Sequence, residues 1–437
     1  MSPQDRLLQP NLAIARVRPL DKVTEVGNSR LRRGWTTGTC ATAAAKAAYT
    51  ALLTGEFPDP VEVTLPRGER VSFALAVTRK EADSATAGVV KDAGDDPDVT
   101  HGALVLTTVR AAAPGSGVTF RAGTGVGTVT RPGLPVPPGE PAINPVPRRM
   151  ICDAIAEVAA AHPHLSLPGS AGVPPALPFT ATPVPVVRSD AGETPALPGR
   201  EGLGCDVEVE IGVADGERLA ARTLNARLGI VGGLSILGTT GIVVPYSCAA
   251  WIHSIQRGID VARAAGVDHI AGSTGSNSEA AVQKFHHLPE MALIDMGDFV
   301  GGMLKYLRRH PVARVTIAGG VGKMTKLAQG LLDLHSKRGS VDLAALAGFG
   351  KGAGASEALI QRITAANTAA EAFAHAAAAN VMLGDEVART ARETAAQVVA
   401  NSGIDVEIVL FDRDGRLVGH APFGSHHETA PSRNRRR

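Results

Sequence analysis

Aromatic residues are scarce in this sequence, with 10 Phe, 3 Tyr and 2 Trp among 437 residues. Proteins that bind single-stranded nucleic acid stack bases on aromatic side chains, so this scarcity argues against that class. An excess of one charge is missing as well, because 44 Lys and Arg nearly balance 42 Asp and Glu and leave a net charge of +2. We therefore expect no nucleic-acid partner, and any basic binding site must be local.

Cysteines and long apolar runs are also few. The four cysteines are Cys40, Cys152, Cys205 and Cys248. None of them stands in a CxxC spacing, which argues against a structural zinc site and against a secreted disulfide scaffold. No apolar run reaches the roughly 18 residues needed to span a bilayer, and the first residues lack a signal-peptide core. We predict a cytoplasmic protein with no membrane partner and no metal site.

The patterns that are present divide the chain into four parts. We predict a flexible leader over residues 1–29, a first domain over 30–223, a second domain over 224–420 and a disordered basic tail over 421–437. A Pro-rich and nearly uncharged stretch at 162–201 interrupts the first domain, and its composition is typical of an insertion rather than of core.

The first domain mixes one early helix with strands. The helix begins near Thr39, and strands are predicted at 61–65, 103–109 and 207–213. Because apolar and polar residues alternate in these strands, they favour an α+β layer with one solvated face.

The second domain alternates strands with helices, which predicts a Rossmann-like parallel sheet and an α/β fold class overall. Short apolar strands are predicted at 268–271, 292–295 and 314–318, and a helical stretch follows each of them. Ala-rich helices at 356–364, 369–382 and 386–400 and a strand at 406–411 complete the domain. Such a sheet binds its ligands beyond the carboxyl ends of its strands.

A glycine-rich segment, LNARLGIVGGLSILGTTGIVVPYS, covers residues 224–247. Its glycines and threonines alternate with aliphatic residues, and glycine lets main-chain N–H groups approach a bound group closely. We predict a loop that wraps around a polar ligand. Its candidate ligand-binding residues are Gly232, Gly233, Gly238, Thr239, Thr240 and Gly241.

The segment RGWTTGTCATAAAKAA predicts a turn that leads into an Ala-rich helix. Thr37 or Thr39 can cap this helix, and the free N–H groups of its first turn, together with the helix dipole, form an anion site, with Lys46 about two turns further in. The alternative is an ordinary capped helix.

The segment VKDAGDDPDVTHG concentrates carboxylates. Asp92, Asp95, Asp96 and Asp98 lie beside Lys91 and His101. The spacing is not that of an EF-hand, since the central Gly and the twelfth-position Glu are missing. The segment therefore holds a hydrated cation, faces a positively charged ligand, or forms a solvated Asx-turn loop. A further local basic site is Arg148 and Arg149 in PAINPVPRRM, which suits ligand carboxylates unless these are ordinary surface arginines.

Two glycine-rich turns follow predicted strands of the second domain: Gly272, Ser273, Thr274 and Gly275 in the first, and Gly319 and Gly320 in the second. Neither has the Walker A or the GxGxxG spacing, so phosphate hydrolysis and dinucleotide binding lose support. His335, in LLDLHSKRG, is a base, a metal ligand or a cation at a helix end.

Five motifs follow one another along the chain: TTGTCATAAAKAA, KDAGDDPDVTHG, PAINPVPRRMI, LNARLGIVGGLSILGTTGIV and GGVGKMTKLAQG. In their sequence and order they resemble the CbiD family, the cobalt-precorrin-5B C1-methyltransferases of the anaerobic cobalamin route. The resemblance covers nearly all of residues 30–335. It implies methyl transfer from S-adenosylmethionine to ring carbon C1 of a cobalt-bearing tetrapyrrole, with cobalt only as part of the substrate. It also implies a two-domain architecture, and it leaves a homo-oligomer open.

On this resemblance, the glycine-rich segment and the two turns of the second domain are expected to hold the donor. The substrate-binding candidates are Thr36, Thr37, Thr39, Lys46, Lys91, Arg148 and Arg149. Catalytic candidates are Asp92, Asp95 and Asp96, which order the substrate loop or take up a proton, and His335 near the donor. The Pro-rich stretch, the leader and the basic tail depart from the family pattern.

Two other classes of function compete with this interpretation. A nucleotide-dependent ligase or kinase would use the glycine-rich turns, although the Walker A pattern is missing. A noncatalytic corrinoid carrier would bind the tetrapyrrole without a second small-molecule site.

Overall fold

The computed structural model describes residues 24–26, 29–165, 167, 205–336 and 338–424. Most of the predicted leader, most of the Pro-rich insertion and the tail from residue 425 onward lie outside the described residues. The chain forms two compact units, the first from residues 1–130 and 135–246 and the second from 131–134 and 247–437. Across the described residues, no helix combines the length and the apolar character needed to cross a bilayer.

The first unit contains 13 strands and three helices among its described residues. The strands are β1 Thr24–Val26, β2 Ser29–Leu31, β3 Gly34–Trp35, β4 Val61–Thr64, β5 Arg70–Phe73, β6 Val77–Lys80, β7 Ser84–Val90, β8 Leu104–Ala111, β9 Val118–Ala122, β10 Thr128–Val129, β11 Val207–Val213, β12 Ile230–Val231 and β13 Ile242–Val243. The helices are α1 Thr37–Thr54, α2 Pro145–Ala161 and α3 Gly216–Ala220.

The central sheet of the first unit has the strand order β6-β7-β8-β11-β9. All its neighbours are antiparallel except β11 and β9, which run parallel. Residues of β8 and β11 alternate between buried and partly exposed. The buried positions include Val105 and Val109 of β8 and Val207 and Val209 of β11. Alternation of this kind buries one face of a sheet, and α1 packs on that face against β7 and β8. The predicted α+β layer is confirmed.

The glycine-rich segment 224–246 belongs to the first unit, although the sequence suggested that the second domain begins there. Its main chain is bonded into that unit: the Leu234 N–H donates to the Gly125 carbonyl at 2.9 Å, and the Ile236 N–H donates to the Ala142 carbonyl at 2.8 Å. Strand β13 also pairs with β3. Because these hydrogen bonds hold the segment in the first unit, the change of composition at residue 224 does not coincide with the boundary between the units.

The second unit contains eight helices and five strands among its described residues. They follow in the order α4 Cys248–Ala264, β14 His269–Ser273, α5 Ser276–His286, β15 Leu293–Asp295, α6 Val300–Arg309, β16 Arg314–Gly320, α7 Val321–Ala328, α8 Leu343–Gly352, α9 Glu357–Thr364, α10 Ala369–Ala378, α11 Leu383–Val398, β17 Asp405–Phe411 and β18 Leu417–Ala421, with a short 3₁₀ helix at Glu290–Ala292.

The sheet of the second unit has the order β15-β14-β16-β17-β18. Strands β14 to β17 pair in parallel, which confirms the predicted Rossmann-like sheet, and β18 is an antiparallel edge strand that the sequence analysis did not predict. The chain goes from β14 to β15 on one side and then returns to β16 on the other side of β14. The carboxyl ends of β14 and β16 therefore form the topological switch point, where open parallel sheets bind their ligands.

One helix ends earlier in the structure than its apolar pattern predicts. The sequence predicts a helix over 369–382, whereas α10 ends at Ala378 and α11 begins at Leu383. Between them, Asn380 adopts a left-handed conformation with φ 54°. After glycine, Asn is the residue that tolerates this conformation best, and it sometimes takes this position at the end of a helix.

Candidate functional site

The glycine-rich segment encloses the N-terminus of α1. The cap of this helix is Thr36, not the predicted Thr37 or Thr39, and its Oγ1 accepts a hydrogen bond from the Thr39 N–H at 3.2 Å. The Gly38 N–H donates to the Leu237 carbonyl at 2.8 Å. Because these donors already have acceptors within the protein, little of the predicted anion site at the helix end is left.

Two glycines of this segment are required by close contact with the same turn. A Cβ at Gly238, where φ is +148°, would crowd the Thr36 side chain, and a Cβ at Gly241, where φ is +83°, would lie 2.7 Å from Leu65 Cδ2. The Gly241 carbonyl also accepts a hydrogen bond from Thr39 Oγ1 at 2.8 Å. These glycines therefore serve the packing of the loop on α1, whatever else the loop binds.

The acidic segment folds onto Arg32, a residue that the sequence analysis did not single out. The Arg32 guanidinium forms an ion pair with Asp92, and one of its nitrogens lies 2.9 Å from Asp92 Oδ1. The Arg32 main-chain N–H donates to Asp95 Oδ2 at 2.6 Å. Burial acts to raise the pKa of Asp92, but hydrogen bonds from Arg32 and the Gly94 N–H outweigh it and hold this pKa below its ordinary value.

The remaining carboxylates of this segment also have partners within the first unit. Asp96 Oδ1 accepts a hydrogen bond from the Tyr246 N–H at 2.8 Å, which ties the acidic segment to the end of the glycine-rich segment. Lys91 is 1% exposed, and its ammonium pairs with Asp98 and donates to Thr100 Oγ1 at 2.6 Å. The structure thus explains Lys91 without a ligand.

Two of the other predicted cations have structural partners as well. Lys46 pairs with Glu157 of α2 at 2.8 Å. Arg148 pairs with Glu140 at 3.1 Å and donates from Nε to the Ile143 carbonyl at 2.9 Å. Arg149 is exposed, so it is the predicted cation that we retain for a ligand carboxylate.

The first unit therefore brings three predicted motifs together. The turn at Thr36–Thr39, the acidic segment 92–98 and the loop 238–246 are linked by the hydrogen bonds described above and by the main-chain bond from the Thr36 N–H to the Gly241 carbonyl at 3.1 Å. Sequence alone could not show this, because the three motifs are separated by long stretches of chain.

The second unit has its own cluster at the carboxyl ends of β14 and β16. The Thr274 N–H donates to the Ala318 carbonyl at 3.0 Å, and Lys323 Nζ donates to the Thr274 carbonyl at 2.7 Å. The same ammonium lies 3.1 Å from Asp298 Oδ1. A Cβ at Gly319 would lie 2.9 Å from Thr274 Oγ1, so this glycine permits the close approach of the two turns. The predicted turns 272–275 and 319–320 are therefore neighbours.

A cleft of about 320 Å³ lies beside this cluster. It is lined by Asp298, Gly322, Lys323, Lys326, Leu334, His335, Ser336 and Val341. Helix α7 begins at the edge of this cleft, and Gly320 caps it without a side-chain hydrogen bond. A helix N-terminus next to lysines suits a carboxylate or another anionic group.

Asp298 and Lys326 line this cleft but were not predicted from the sequence as binding residues. The signal for Asp298 was its position just after a predicted strand, in IDMGDF, where side chains reach the carboxyl edge of a parallel sheet. His335 was singled out, and it does line the cleft. The Ser273 hydroxyl at the end of β14 is buried and has no hydrogen-bond partner within the part of the chain that the structure describes.

Trp251 of α4 lies at the same edge of the sheet. Its Nε1–H donates to the carbonyl of Asp295, the last residue of β15, at 3.1 Å, and its ring faces Gly297. The side chain is nevertheless 46% exposed. A fixed and exposed indole at the ligand-binding edge of the sheet offers a flat apolar surface.

Comparison with known proteins places these features in a family. The CbiD family model matches residues 24–170 and 187–245, and the model of the CbiD C-terminal domain matches 333–422. A protein of Bradyrhizobium sp. named cobalt-precorrin-5B C(1)-methyltransferase is 58% identical over 94% of this chain and 98% of its own length. A protein of Agrobacterium fabrum with the same name is 56% identical over 94% of this chain and 100% of its own length.

Among solved structures, the cobalamin biosynthesis protein CbiD from Archaeoglobus fulgidus is 25% identical, with 72% of this chain and 86% of that chain covered and a TM-score of 0.35. The two family models and the identity to the curated relatives together assign the chain: it belongs to the CbiD family.

Proposed function

We propose that this protein transfers a methyl group from S-adenosylmethionine to C1 of cobalt-precorrin-5B. The observation that carries the proposal is the identity of 58% and 56% to relatives named for this reaction, over 94% of the chain in both cases. The products are S-adenosylhomocysteine and cobalt-precorrin-6A. The protein is thus an enzyme of cobalamin biosynthesis, and the cobalt ion enters as part of the substrate.

In this proposal the donor binds at the carboxyl ends of β14 and β16. Turns 272–275 and 319–320 approach it with their main chains, while Lys323 and Lys326 face its carboxylate and Asp298 faces its amino group or ribose hydroxyls. These pairings match charges of opposite sign in a cleft at the switch point of the sheet. His335 lines the same cleft and stays a candidate for donor contact.

The tetrapyrrole is assigned to the first unit. Arg149 faces one of its carboxylates. The glycine-rich loop, which the sequence assigned to the donor, is assigned here to the substrate; its residues are Gly232, Gly233, Gly238, Thr239, Thr240 and Gly241. This change rests on the contacts of that loop with the Thr36–Thr39 turn. Asp92, Asp95 and Asp96 then act as positioning residues. Asp96 ties the acidic segment to Tyr246 at the end of the loop, and Asp92 and Asp95 hold that segment through Arg32.

The reaction makes few chemical demands on the protein. The electron pair of ring carbon C1 forms the new bond to the methyl carbon, and the electron pair of the broken carbon–sulfur bond remains on sulfur, which becomes a neutral thioether. Such an in-line displacement needs alignment of the reacting atoms at about 3 Å and exclusion of water. An enzyme of this kind needs no nucleophilic side chain.

Calorimetric titration with S-adenosylhomocysteine and with ATP tests the proposal. We expect micromolar binding of S-adenosylhomocysteine and no heat from ATP. ATP binding alone would favour the ligase or kinase interpretation. Tetrapyrrole binding without any donor binding, before or after the tetrapyrrole is added, would favour a noncatalytic carrier.

Replacing Asp298 by Ala should weaken S-adenosylhomocysteine binding about 10- to 100-fold, since a hydrogen bond to a charged group contributes about 1.5–3 kcal/mol. The measurement is the same calorimetric titration. Asp268→Ala is the matched control, because Asp268 is an exposed carboxylate that pairs with Arg314 at the amino end of the same sheet. Equal affinities of the two variants for S-adenosylhomocysteine would contradict donor binding in the Asp298 cleft.

The two tryptophans distinguish the two units as donor sites. Trp35 is 5% exposed in the first unit, and Trp251 is 46% exposed in the second. We expect S-adenosylhomocysteine to change the emission of the wild-type protein and to leave that of Trp251→Phe unchanged. The measurement is a fluorescence titration with excitation of tryptophan alone. A change that persists in Trp251→Phe would assign the donor to the first unit.

A further inference from the structure

Glu407 is a carboxylate buried in the sheet of the second unit. It lies on β17 and is 2% exposed. Its Oε2 accepts a hydrogen bond from Thr316 Oγ1 at 2.6 Å and lies 2.5 Å from His286 Nε2, while its Oε1 lies 2.8 Å from His420 Nε2. Burying a carboxylate is unfavourable unless a cation and hydrogen bonds compensate it. A cation bound beside Glu407 would supply this compensation.

Five different elements bring these side chains together. Residue 316 is paired with residue 407 in the parallel register of β16 and β17. His269, the first residue of β14, places its Nε2 2.8 Å from Thr316 Oγ1. His286 is the last residue of α5, and His420 lies on β18. None of these spacings forms a recognised metal-binding motif, so the sequence alone shows no sign of a metal site here.

We propose that His269, His286 and Glu407 bind a divalent transition metal ion, with Zn²⁺ as the first choice. The ligand atoms of these three residues all lie within 4.8 Å of one another. Ligands of tetrahedral zinc are about 3.4 Å apart, given bonds of about 2.0–2.2 Å, so small side-chain rotations would close the site around an ion. Imidazole nitrogens with one carboxylate are a ligand set that zinc accepts.

The surroundings support an ion at this place. His420 holds the second oxygen of Glu407, which is the kind of outer hydrogen bond that orients a ligating carboxylate. Phe423 stacks edge-on against His269 with ring centroids 5.2 Å apart, and Phe285 does the same against His420 at 5.6 Å. Arg314, which lies 6.0 Å from the centre of the Phe423 ring, pairs with Asp268 and not with Glu407. An apolar rim and a buried carboxylate favour a bound cation.

This site would be structural and separate from the proposed donor cleft. His269 begins β14, so the cluster lies toward the amino end of that strand, whereas the cleft lies beyond the carboxyl ends. A metal ion there would connect the end of α5 to the sheet. The inference does not rest on the proposed function, since it needs neither the donor nor the tetrapyrrole.

The test uses the full chain with its purification tag removed. Metal content after dialysis and calorimetric titration with Zn²⁺ give stoichiometry and affinity, and Co²⁺ titration gives a visible spectrum that reports coordination. We expect one equivalent per chain and a four- or five-coordinate Co²⁺ spectrum. His286→Ala and Glu407→Gln should each lower the affinity more than about 100-fold, because even the loss of an outer hydrogen bond costs 10- to 100-fold.

Two controls make the result specific. His253→Ala removes an exposed histidine of the same unit, and a His426→Ala/His427→Ala double variant removes the adjacent histidines of the tail. Both should keep the full equivalent. No stoichiometric binding by the wild type, equal binding by His286→Ala, or loss of binding in the tail variant would each overturn the proposal. Circular dichroism of the metal-free variants excludes unfolding as the cause, and His286, the more exposed ligand, carries the test if Glu407→Gln does not fold.

Discussion

Replacing Asp98 by Asn should destabilise the first unit by about 3–5 kcal/mol. The substitution leaves the Lys91 ammonium, which is 1% exposed, without its counter-ion. Removing one partner of a buried ion pair has this effect because the remaining charge stays away from water. An effect of this size is a large part of the free energy of unfolding of an ordinary domain.

Urea unfolding followed by the emission of Trp35 measures this effect. The experiment is done in a Trp251→Phe background, so that the signal comes from the first unit alone and the unfolding of the second unit does not contribute. Asp215→Asn is the matched control, since Asp215 pairs with Arg218 at 3.0 Å on the surface. Exposed pairs contribute about 0–1 kcal/mol. Equal midpoints for the two variants would contradict the buried-pair argument.

The same pair makes stability depend on pH. Burial acts to raise the pKa of Asp98, but the charge of Lys91 and hydrogen bonds from Lys91 and Thr100 hold this pKa below its ordinary value of 3.8. The folded state therefore binds this proton less readily than the unfolded state. The stabilisation is fully present above this ordinary pKa, which the unfolded chain keeps, and is lost as pH falls through the lower folded pKa. Asp98→Asn should remove this part of the acid sensitivity.

Replacing Gly34 by Ala should destabilise the first unit by more than about 4 kcal/mol, in the range that only a few mechanisms reach. A Cβ at Gly34 would lie under 3.0 Å from the main chain of Ala93, and one at Gly94 would meet the main chain of Arg32 in the same way. The two segments cross with their backbones in contact, so no flexible side chain can move aside. The hydrogen bond from the Trp35 N–H to the Asp92 carbonyl, 2.7 Å long, would be strained or lost.

The control for this substitution is Gly348→Ala. Gly348 lies within α8, and a Cβ there would meet nothing within 4 Å. Alanine in an open helical position stabilises by about 1 kcal/mol relative to glycine. Urea midpoints of the two variants, followed by the emission of Trp35 for Gly34→Ala and of Trp251 for Gly348→Ala, should therefore move in opposite directions. A small loss for Gly34→Ala would mean that the acidic segment can shift away from β3 without cost.

Periodicity located most regular elements of the second unit but only three of the 13 described strands of the first, because it reports which residues face a core and very short strands carry little pattern. Strand β11 occupies 207–213, as predicted, since its alternation has no interruption. The break between α10 and α11 was missed because the conformation of Asn380 leaves no mark in an apolar pattern. The parallel pairing of β11 with β9 was missed too, since strand order depends on contacts between distant residues.

The candidate site was predictable only in part. The turns 272–275 and 319–320 could be found because glycines after strands mark the ligand-binding edge of a parallel sheet. Lys91 was assigned to the substrate because a lysine beside aspartates looks available, and only the fold shows that Asp98 turns back onto it. Asp298 had only its position after a predicted strand as a signal, and Trp251 had none. Their place at this edge of the sheet depends on pairing between strands that are distant in the sequence.

Helix α1 buries seven alanines, at positions 41, 43, 44, 45, 47, 48 and 51. Fixing an alanine side chain costs no conformational entropy, whereas a long side chain loses up to about 2 kcal/mol. These seven side chains therefore add no entropic penalty when the helix docks on its sheet, and they have no rotamers with which to adjust. The threonine turn at the start of the helix is attached to these rigidly packed residues. A ligand that contacts the turn therefore binds to a surface that is already ordered before binding.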